Sequence, residues 1–304
     1  MPDATGPATG TTLVLGVGGM LGSTLYRALR EHGLPVVGTV RNRATLGHFT
    51  PEERDTIRTE VDAADESVLR TLGEVRPAVV VNCIGIVKQL AAANDPLVAI
   101  PINALFPHRL AALCRLVGAR LVHISTDCVF SGRQGSYTED DTPDPIDLYG
   151  RSKLLGEIAD RADVLTLRTS IIGRELASAN GLIDWFLAQE GPVKGYERAV
   201  FSGLPTIELA RVIIDQAIRN RSLSGLYHVS ASPISKLDLL RVVAARYGKS
   251  IEIVPDATLA QDRSLDSSRF AAASGYHAAS WPDLVRAMHE ADHRASKKLI
   301  EDYA

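Results

Sequence analysis

The chain has little cysteine: three residues, Cys83, Cys114 and Cys128, an odd and widely spaced set. That excludes a disulfide framework and predicts free thiols in a reducing compartment. Charge of one sign is also missing. With 33 Lys+Arg against 36 Asp+Glu the formal net charge is −3, so no overall basic field recruits nucleic acid or an anionic membrane, and an anionic small molecule needs a local site. Long hydrophobic runs are absent too. The most apolar stretch, 78–87, contains Asn82 and is far short of the roughly 20 residues that span a bilayer. Residues 1–10 carry neither a basic n-region nor an apolar h-region, so no signal peptide is expected there; the segment is expected to be a flexible tail, and the protein cytoplasmic. Repeats, low-complexity segments and metal-ligand spacings among the eight histidines are lacking, and no metal is expected.

What is present is a 304-residue chain, 45% hydrophobic, with enough core for one large or two modest domains. Thr12 to Gly16 has the pattern of a buried strand. Gly16-Val17-Gly18-Gly19-Met20-Leu21-Gly22 turns it into a helix expected over 23–30. Glycines at 16, 19 and 22 permit a tight turn, approach of backbone to a pyrophosphate and close helix–strand packing, while the helix N-terminus offers free N–H groups to an anion. This is a dinucleotide cradle. A second strand, 36–40, ends at Arg41 and Arg43, where NAD-binding folds place an acidic residue. Two cations there suit the 2′-phosphate of NADPH, with NADH as the alternative.

A third strand is expected over 58–61, ending at Val61, with Asp62 placed either to meet the adenine or to cap a helix beginning near Asp65. The fourth, 77–83, brings Asn82, Cys83, Ile84 and Gly85 to the cofactor. Leu110, Leu113 and Leu116 form the apolar stripe of a helix opened by residues 101–107, in which Asn103 is a candidate for fixing backbone near the site. A fifth strand over 120–124 delivers Ser125-Thr126-Asp127-Cys128-Val129 to the sheet's ligand-binding edge; His123 within it is expected to be a core histidine. Asp147 to Lys153 then places Tyr149 and Lys153 four apart, on one face of a helix. An ammonium beside a phenol lowers its pKa from near 10, making the pair a candidate proton donor. A sixth strand over 164–168 completes a Rossmann pattern.

Four separated motifs carry a resemblance. Gly19-Met20-Leu21-Gly22, Ile102-Asn103-Ala104, Ser125-Thr126-Asp127-x-Val129-Phe130-x-Gly132 and Tyr149-Gly150-Arg151-Ser152-Lys153-x-x-Gly156-Glu157 together resemble the dTDP-4-dehydrorhamnose reductase family of extended short-chain dehydrogenases/reductases. The likeness spans most of 12–173 and thins beyond. It implies a doubly wound Rossmann sheet with a smaller C-terminal α/β lobe for the substrate, and hydride transfer to C4 of a 4-keto-6-deoxy sugar on a nucleoside diphosphate. It implies a catalytic set of Thr126 orienting the carbonyl, Tyr149 donating the proton and Lys153 lowering the phenol's pKa and holding the nicotinamide ribose. It also implies a phosphate contact from Arg263 in a late loop. Two departures bear on the sugar: Cys128 stands where family members often carry an aromatic residue, and Asn82-Cys83-Ile84 replaces the commoner Asn-Ala-Ala.

The expected division is 11–173 plus about 205–230 for the Rossmann domain, and about 174–204 plus 231–304 for the substrate lobe. In that lobe a loop is expected over 194–198, with Lys194 a candidate for a diphosphate, a strand over 251–255 and an amphipathic helix over 281–300 with Trp281, Leu284 and Met288 inward. A nucleotide-activated sugar is the expected small-molecule partner, and a homodimer is left open. Two other readings share these residues: an epimerase or dehydratase of the same fold, though Thr126-Asp127-Cys128 lacks the Asp-Glu pair of a dehydratase, and a non-catalytic regulatory subunit that binds the dinucleotide.

Overall fold

The computed structural model describes residues 10–177 and 179–303, with side chains described as far as residue 294; the expected tail falls, Gly10 apart, outside the described residues. Among the described residues twelve strands are formed: β1 (Thr12–Leu15), β2 (Val36–Thr39), β3 (Ile57–Arg58), β4 (Val79–Asn82), β5 (Arg120–Thr126), β6 (Val164–Thr169), β7 (Ile171–Ile172), β8 (Val193–Phe201), β9 (Leu204–Pro205), β10 (Gly225–His228), β11 (Ile234–Ser235) and β12 (Ile253–Asp262). Seven make one sheet in the order β10-β6-β5-β4-β1-β2-β3, with every pairing parallel. The central strands are apolar along their whole length because helices cover both faces: β1 and β4 are buried at all four positions. The order runs outward from β1 to β3 on one side and from β4 to β6 on the other. The switch point therefore lies between β1 and β4, where Leu15 pairs with Asn82, and a crevice opens beyond their carboxyl ends.

Helix Met20–Glu31 buries Leu21, Leu25, Ala28 and Leu29 and packs against helix Thr206–Ile213, while β10 returns to the sheet's edge. A second sheet, β11-β8-β12, stands apart, flanked by helix Lys236–Tyr247, with helix Trp281–Tyr303 packed on that helix through the buried Trp281, Leu284 and Met288.

Several expected elements are corrected. Residues 194–198 are not a loop but the middle of β8, whose partner β12 is ten residues long rather than five and pairs with it over two stretches around an irregularity between Asp256 and Ala260; cross-strand pairing, invisible in one strand's own pattern, extends both. The third strand ends at Arg58 instead of Val61, because Glu60 takes a left-handed φ of 60°. The first helix begins at Met20, three residues early, and the third-strand helix at Ser67. Leu116 is 81% exposed. Phe106, Leu110 and Cys114, spaced by four, form the buried face in its stead, since two successive i+3 steps from Leu110 carry Leu116 away from that face. Pro96–Leu116 is long and apolar enough to cross a membrane by length and composition, and its buried face belongs to the core beneath β1, β4 and β5.

Candidate active site

The glycine turn closes on its own backbone, with Gly16 N donating to Thr39 Oγ1 at 3.1 Å. Gly19 N donates to Gly16 O at 3.1 Å, Gly16 adopts φ 84°, and a Cβ on Gly22 would stand 2.2 Å from Gly16 O. Gly19 begins the helix without a side-chain cap, so its first-turn N–H groups are free for an anion. Gly18 faces Thr45, and Met20 and Leu21 open the helix, Leu21 buried. The cradle fits a dinucleotide's pyrophosphate: only hydrogens approach where side chains would block it. Beyond β2, Arg41 and Arg43 are exposed. Val61 is buried and Asp62 half-buried; the Asp62 carboxylate accepts from Ala64 N at 2.9 Å, while Asp65 takes Ser67 N at the helix start.

Across the switch point, Asn82 Oδ1 accepts from Ile84 N at 3.1 Å and its amide meets Nδ1 of the wholly buried His123 at 3.2 Å. Asn103 is fully engaged: Oδ1 accepts from Ile86 N at 2.9 Å and Nδ2 donates to Ile86 O and to Ser152 Oγ, both at 3.1 Å. Its oxygen bounds the space beside Gly85. Asn103 thus ties the loop after β4 to the helix that carries Tyr149.

That helix, Leu148–Leu155, starts where Asp147 Oδ1 accepts from Gly150 N at 2.8 Å, and Lys88 pairs with the same carboxylate at 2.7 Å. A Cβ on Gly150 would lie 2.2 Å from Cys128 O, and one on Gly156 2.0 Å from Asn103 O. Gly150 lets the helix press on the turn after β5, and Gly156 lets its end press on the segment that carries Asn103. Tyr149 consequently comes close to Thr126, whose Oγ1 accepts from Cys128 N and donates to Asp127 Oδ1, both at 3.1 Å. Lys153, 6% exposed, donates through Nζ to Ile124 O at 2.8 Å.

The expected electrostatics are corrected here. Burial first, then Cys128, Asp127 and Asp147, push the Tyr149 phenol upward against the opposing pull of the Thr126 hydroxyl. The phenol is therefore a protonated donor held by burial rather than one loosened by Lys153. Burial pulls Lys153 itself down to about 8, opposed by Glu157 and Cys83. Burial also raises Cys83 and Cys128 to about 12, so neither is a thiolate nucleophile at neutral pH. Asp127 is raised by burial against the pull of Arg263.

Arg263 reaches this turn, Nε donating to Phe130 O at 2.9 Å and Nη1 to Cys128 Sγ at 3.4 Å. Val129 does not face the cleft: it is wholly buried with Phe130, Tyr137 and Leu265, and its expected substrate contact is corrected to a packing role. Lys194 stands on β8, 71% exposed and paired with Asp256 at 2.9 Å. Two cavities of about 470 and 570 Å³ lie elsewhere, one along helix Met20–Glu31 and one beside Ser230 and Tyr276, and neither is lined by Thr126, Tyr149 or Lys153.

Beneath the set runs a network that the sequence reading missed. Ser125 Oγ donates to Glu157 Oε1 at 2.6 Å, Arg168 grips both Glu157 oxygens at 2.8 and 2.7 Å, and Arg168 Nη1 lies 3.2 Å from His228 Nε2. Glu157 stood inside a quoted motif; Arg168 and His228 look like ordinary strand residues until β6 and β10 pair at Arg168 and His228.

The family described as RmlD substrate binding domain matches residues 10–292. The chain belongs to that family. It is 30% identical over 268 residues, 81% of this chain and 83% of the relative, to a Haloferax volcanii protein named "Probable low-salt glycan biosynthesis reductase Agl14". Over 149 residues it is 38% identical to a dTDP-4-dehydrorhamnose reductase of Streptomyces griseus, a match spanning 48% of this chain and 43% of that one. The beta subunit of methionine adenosyltransferase 2 from Danio rerio is 27% identical over 258 residues, 80% of this chain and 76% of its own. Among solved structures, dTDP-4-dehydrorhamnose reductase from Bacillus anthracis in complex with NADP superposes with a TM-score of 0.76 at 22% identity, covering 92% of this chain and 98% of that one. In this RmlD family member, the Rossmann sheet and its switch-point crevice agree with that fold.

Proposed function

We propose that this RmlD family protein reduces the 4-keto group of a nucleotide-activated 6-deoxy sugar with NADPH, as a dTDP-4-dehydrorhamnose reductase-like enzyme. The observation that carries the reading is the convergence of Thr126, Tyr149 and Lys153 at the carboxyl end of β5, one strand from the β1/β4 switch point. Names of relatives support the same chemistry.

Gly16, Gly18, Gly19, Met20, Leu21 and Gly22 would hold the pyrophosphate, Arg41 and Arg43 the 2′-phosphate, Val61 and Asp62 the adenine edge, and Asn82, Cys83, Ile84, Gly85 and Asn103 the nicotinamide side. Bound there, the reduced nicotinamide supplies a hydride to the substrate carbonyl carbon. Thr126 orients the carbonyl oxygen by a hydrogen bond, and Tyr149, protonated at neutral pH, donates its proton to the alkoxide that develops on that oxygen. The Lys153 ammonium, fixed on Ile124 O, would hold the nicotinamide ribose rather than acidify the phenol. Asp127, Cys128 and Arg263 bound the sugar.

The test offers the purified protein dTDP-, UDP- and GDP-linked 4-keto sugars with NADPH and with NADH, following cofactor oxidation. Oxidation with at least one sugar, faster with NADPH, is expected; none with any sugar overturns the reading. Tightly retained cofactor without net consumption would favour an epimerase. A non-catalytic regulatory subunit would be marked by co-purification of a partner enzyme without reductase activity.

A further inference from the structure

Arg263 is 7% exposed. Its Nε and Nη1 are spent on Phe130 O and Cys128 Sγ, while Nη2 is buried and has no hydrogen-bond partner among the described residues. Buried guanidinium N–H groups are nearly always paired, because leaving one unpaired forfeits its hydration without return. The gap points to an acceptor that arrives from outside the chain.

A second cation faces the same turn. Lys236 is the first residue of helix Lys236–Tyr247, half-buried, and it interacts electrostatically with Asp127, Arg263 and Cys128. It makes no hydrogen bond or ion pair among the described residues. Ser235 caps that helix by accepting from Asp238 N at 3.0 Å, which leaves the rest of the first turn's N–H groups and the positive end of the helix dipole on the same side. The opposing charge is small. Lys88 is neutralised by Asp147 at 2.7 Å, and Asp127 is the carboxylate that Lys236 and Arg263 share. Asp238, in the first turn of the same helix, is paired with Arg241, so two cations against one carboxylate leave a positive surplus beside Thr126 and Tyr149.

The geometry points to Lys236 and Arg263 as a paired cradle for anionic oxygens of the substrate, with Lys236, brought in by the small lobe, as a binding residue. Resting on the nucleotide-sugar reading, it deepens that reading by assigning the side of the pocket on which the substrate's charge sits. Arg263 supplies a rigid, half-committed fork and Lys236 a mobile point charge. A phosphate oxygen of the nucleoside diphosphate and a carboxylate on the sugar present the same chemistry to them.

Calorimetric titration of the full-length protein and its Lys236→Met and Lys236→Arg variants with dTDP and UDP tests the assignment, with NADPH binding as the control for folding. Loss of a charge-assisted contact should weaken diphosphate binding by roughly 10-fold or more in Lys236→Met, with most of it restored in Lys236→Arg and NADPH affinity unchanged. If dTDP and UDP are unaffected but Lys236→Met abolishes a preference for UDP-glucuronate over UDP-glucose, the anion is a sugar carboxylate and the cradle stands. Neither effect, including no binding of these probes by the unaltered protein, overturns it. Because the readout is binding, Lys236-dependent affinity without turnover on any ketosugar would retain the cradle and discard the reductase. Turnover indifferent to Lys236 in both KM and binding would do the reverse.

Discussion

Tyr149 shows how far a residue's environment can depart from its sequence neighbourhood. Four positions from a lysine on one helix, the phenol would be expected to acidify. Instead the lysine's ammonium is held by Ile124 O, and burial with nearby Cys128, Asp127 and Asp147 keeps the phenol protonated. A donor needs its proton at the moment of transfer, and this arrangement guarantees it at neutral pH. Tyr149→Phe should lower kcat on the accepted ketosugar about 10²- to 10⁴-fold while leaving NADPH affinity within error, as measured by steady-state kinetics beside cofactor titration. Near-normal turnover in that variant would remove Tyr149 from the acid role. At this scale the motif residues were legible because their types carry the chemistry, whereas Lys236 was not: a lysine following an N-cap serine looks like any exposed helix start.

At the scale of elements, the site depends on how closely helix Leu148–Leu155 lies against the turn after β5. Gly150 sets that distance, since a methyl group there would sit 2.2 Å from the Cys128 carbonyl oxygen. Gly150→Ala must move the helix or the turn. A displacement on the ångström scale at the reacting groups should cost roughly 100-fold in kcat; NADPH binding, proposed for the separate glycine turn after β1, should persist. A variant with unchanged kcat would show that the helix and turn are not held in register by this contact. Helix and strand positions in the first half of the chain were legible from apolar periodicity and glycine placement, with boundaries shifted by two or three residues. β8 was not, because alternating Lys194, Tyr196 and Arg198 carry no apolar signal and acquire strand geometry by pairing with β12.

At the scale of the whole molecule, a buried charged layer joins the seven-stranded sheet to the segments packed on it. Glu157 and Arg168, each with a side chain only 6% exposed, are linked to Ser125 on one side and to His228 on the other, and His228 N donates to Glu139 Oε1 at 2.7 Å. Burial first, then Arg168, lowers His228 to about 4. A histidine whose folded pKa lies below its unfolded value of about 6.5 contributes stability above the unfolded pKa, and loses it as pH falls from about 6.5 towards 4, because only the unfolded chain binds the proton in that window. His123, wholly buried and also held well below the ordinary value, adds to the same trend. The melting temperature should therefore fall on acidification through that window, on the order of 3 kcal/mol being attributable to His228, and His228→Gln should flatten the slope. An unaltered pH dependence in the variant would show that His228 is protonated without penalty. The residues of the dinucleotide turn and the Thr126, Tyr149 and Lys153 set were determined by the sequence alone, since glycine freedom and side-chain chemistry are local properties. Only the tertiary structure decided that Tyr149 stays protonated, that Val129 belongs to the core, and that the charges of Lys236 and Arg263 act on the turn at Asp127 and Cys128. Burial and charge balance arise from segments more than a hundred residues apart, and no local pattern encodes them.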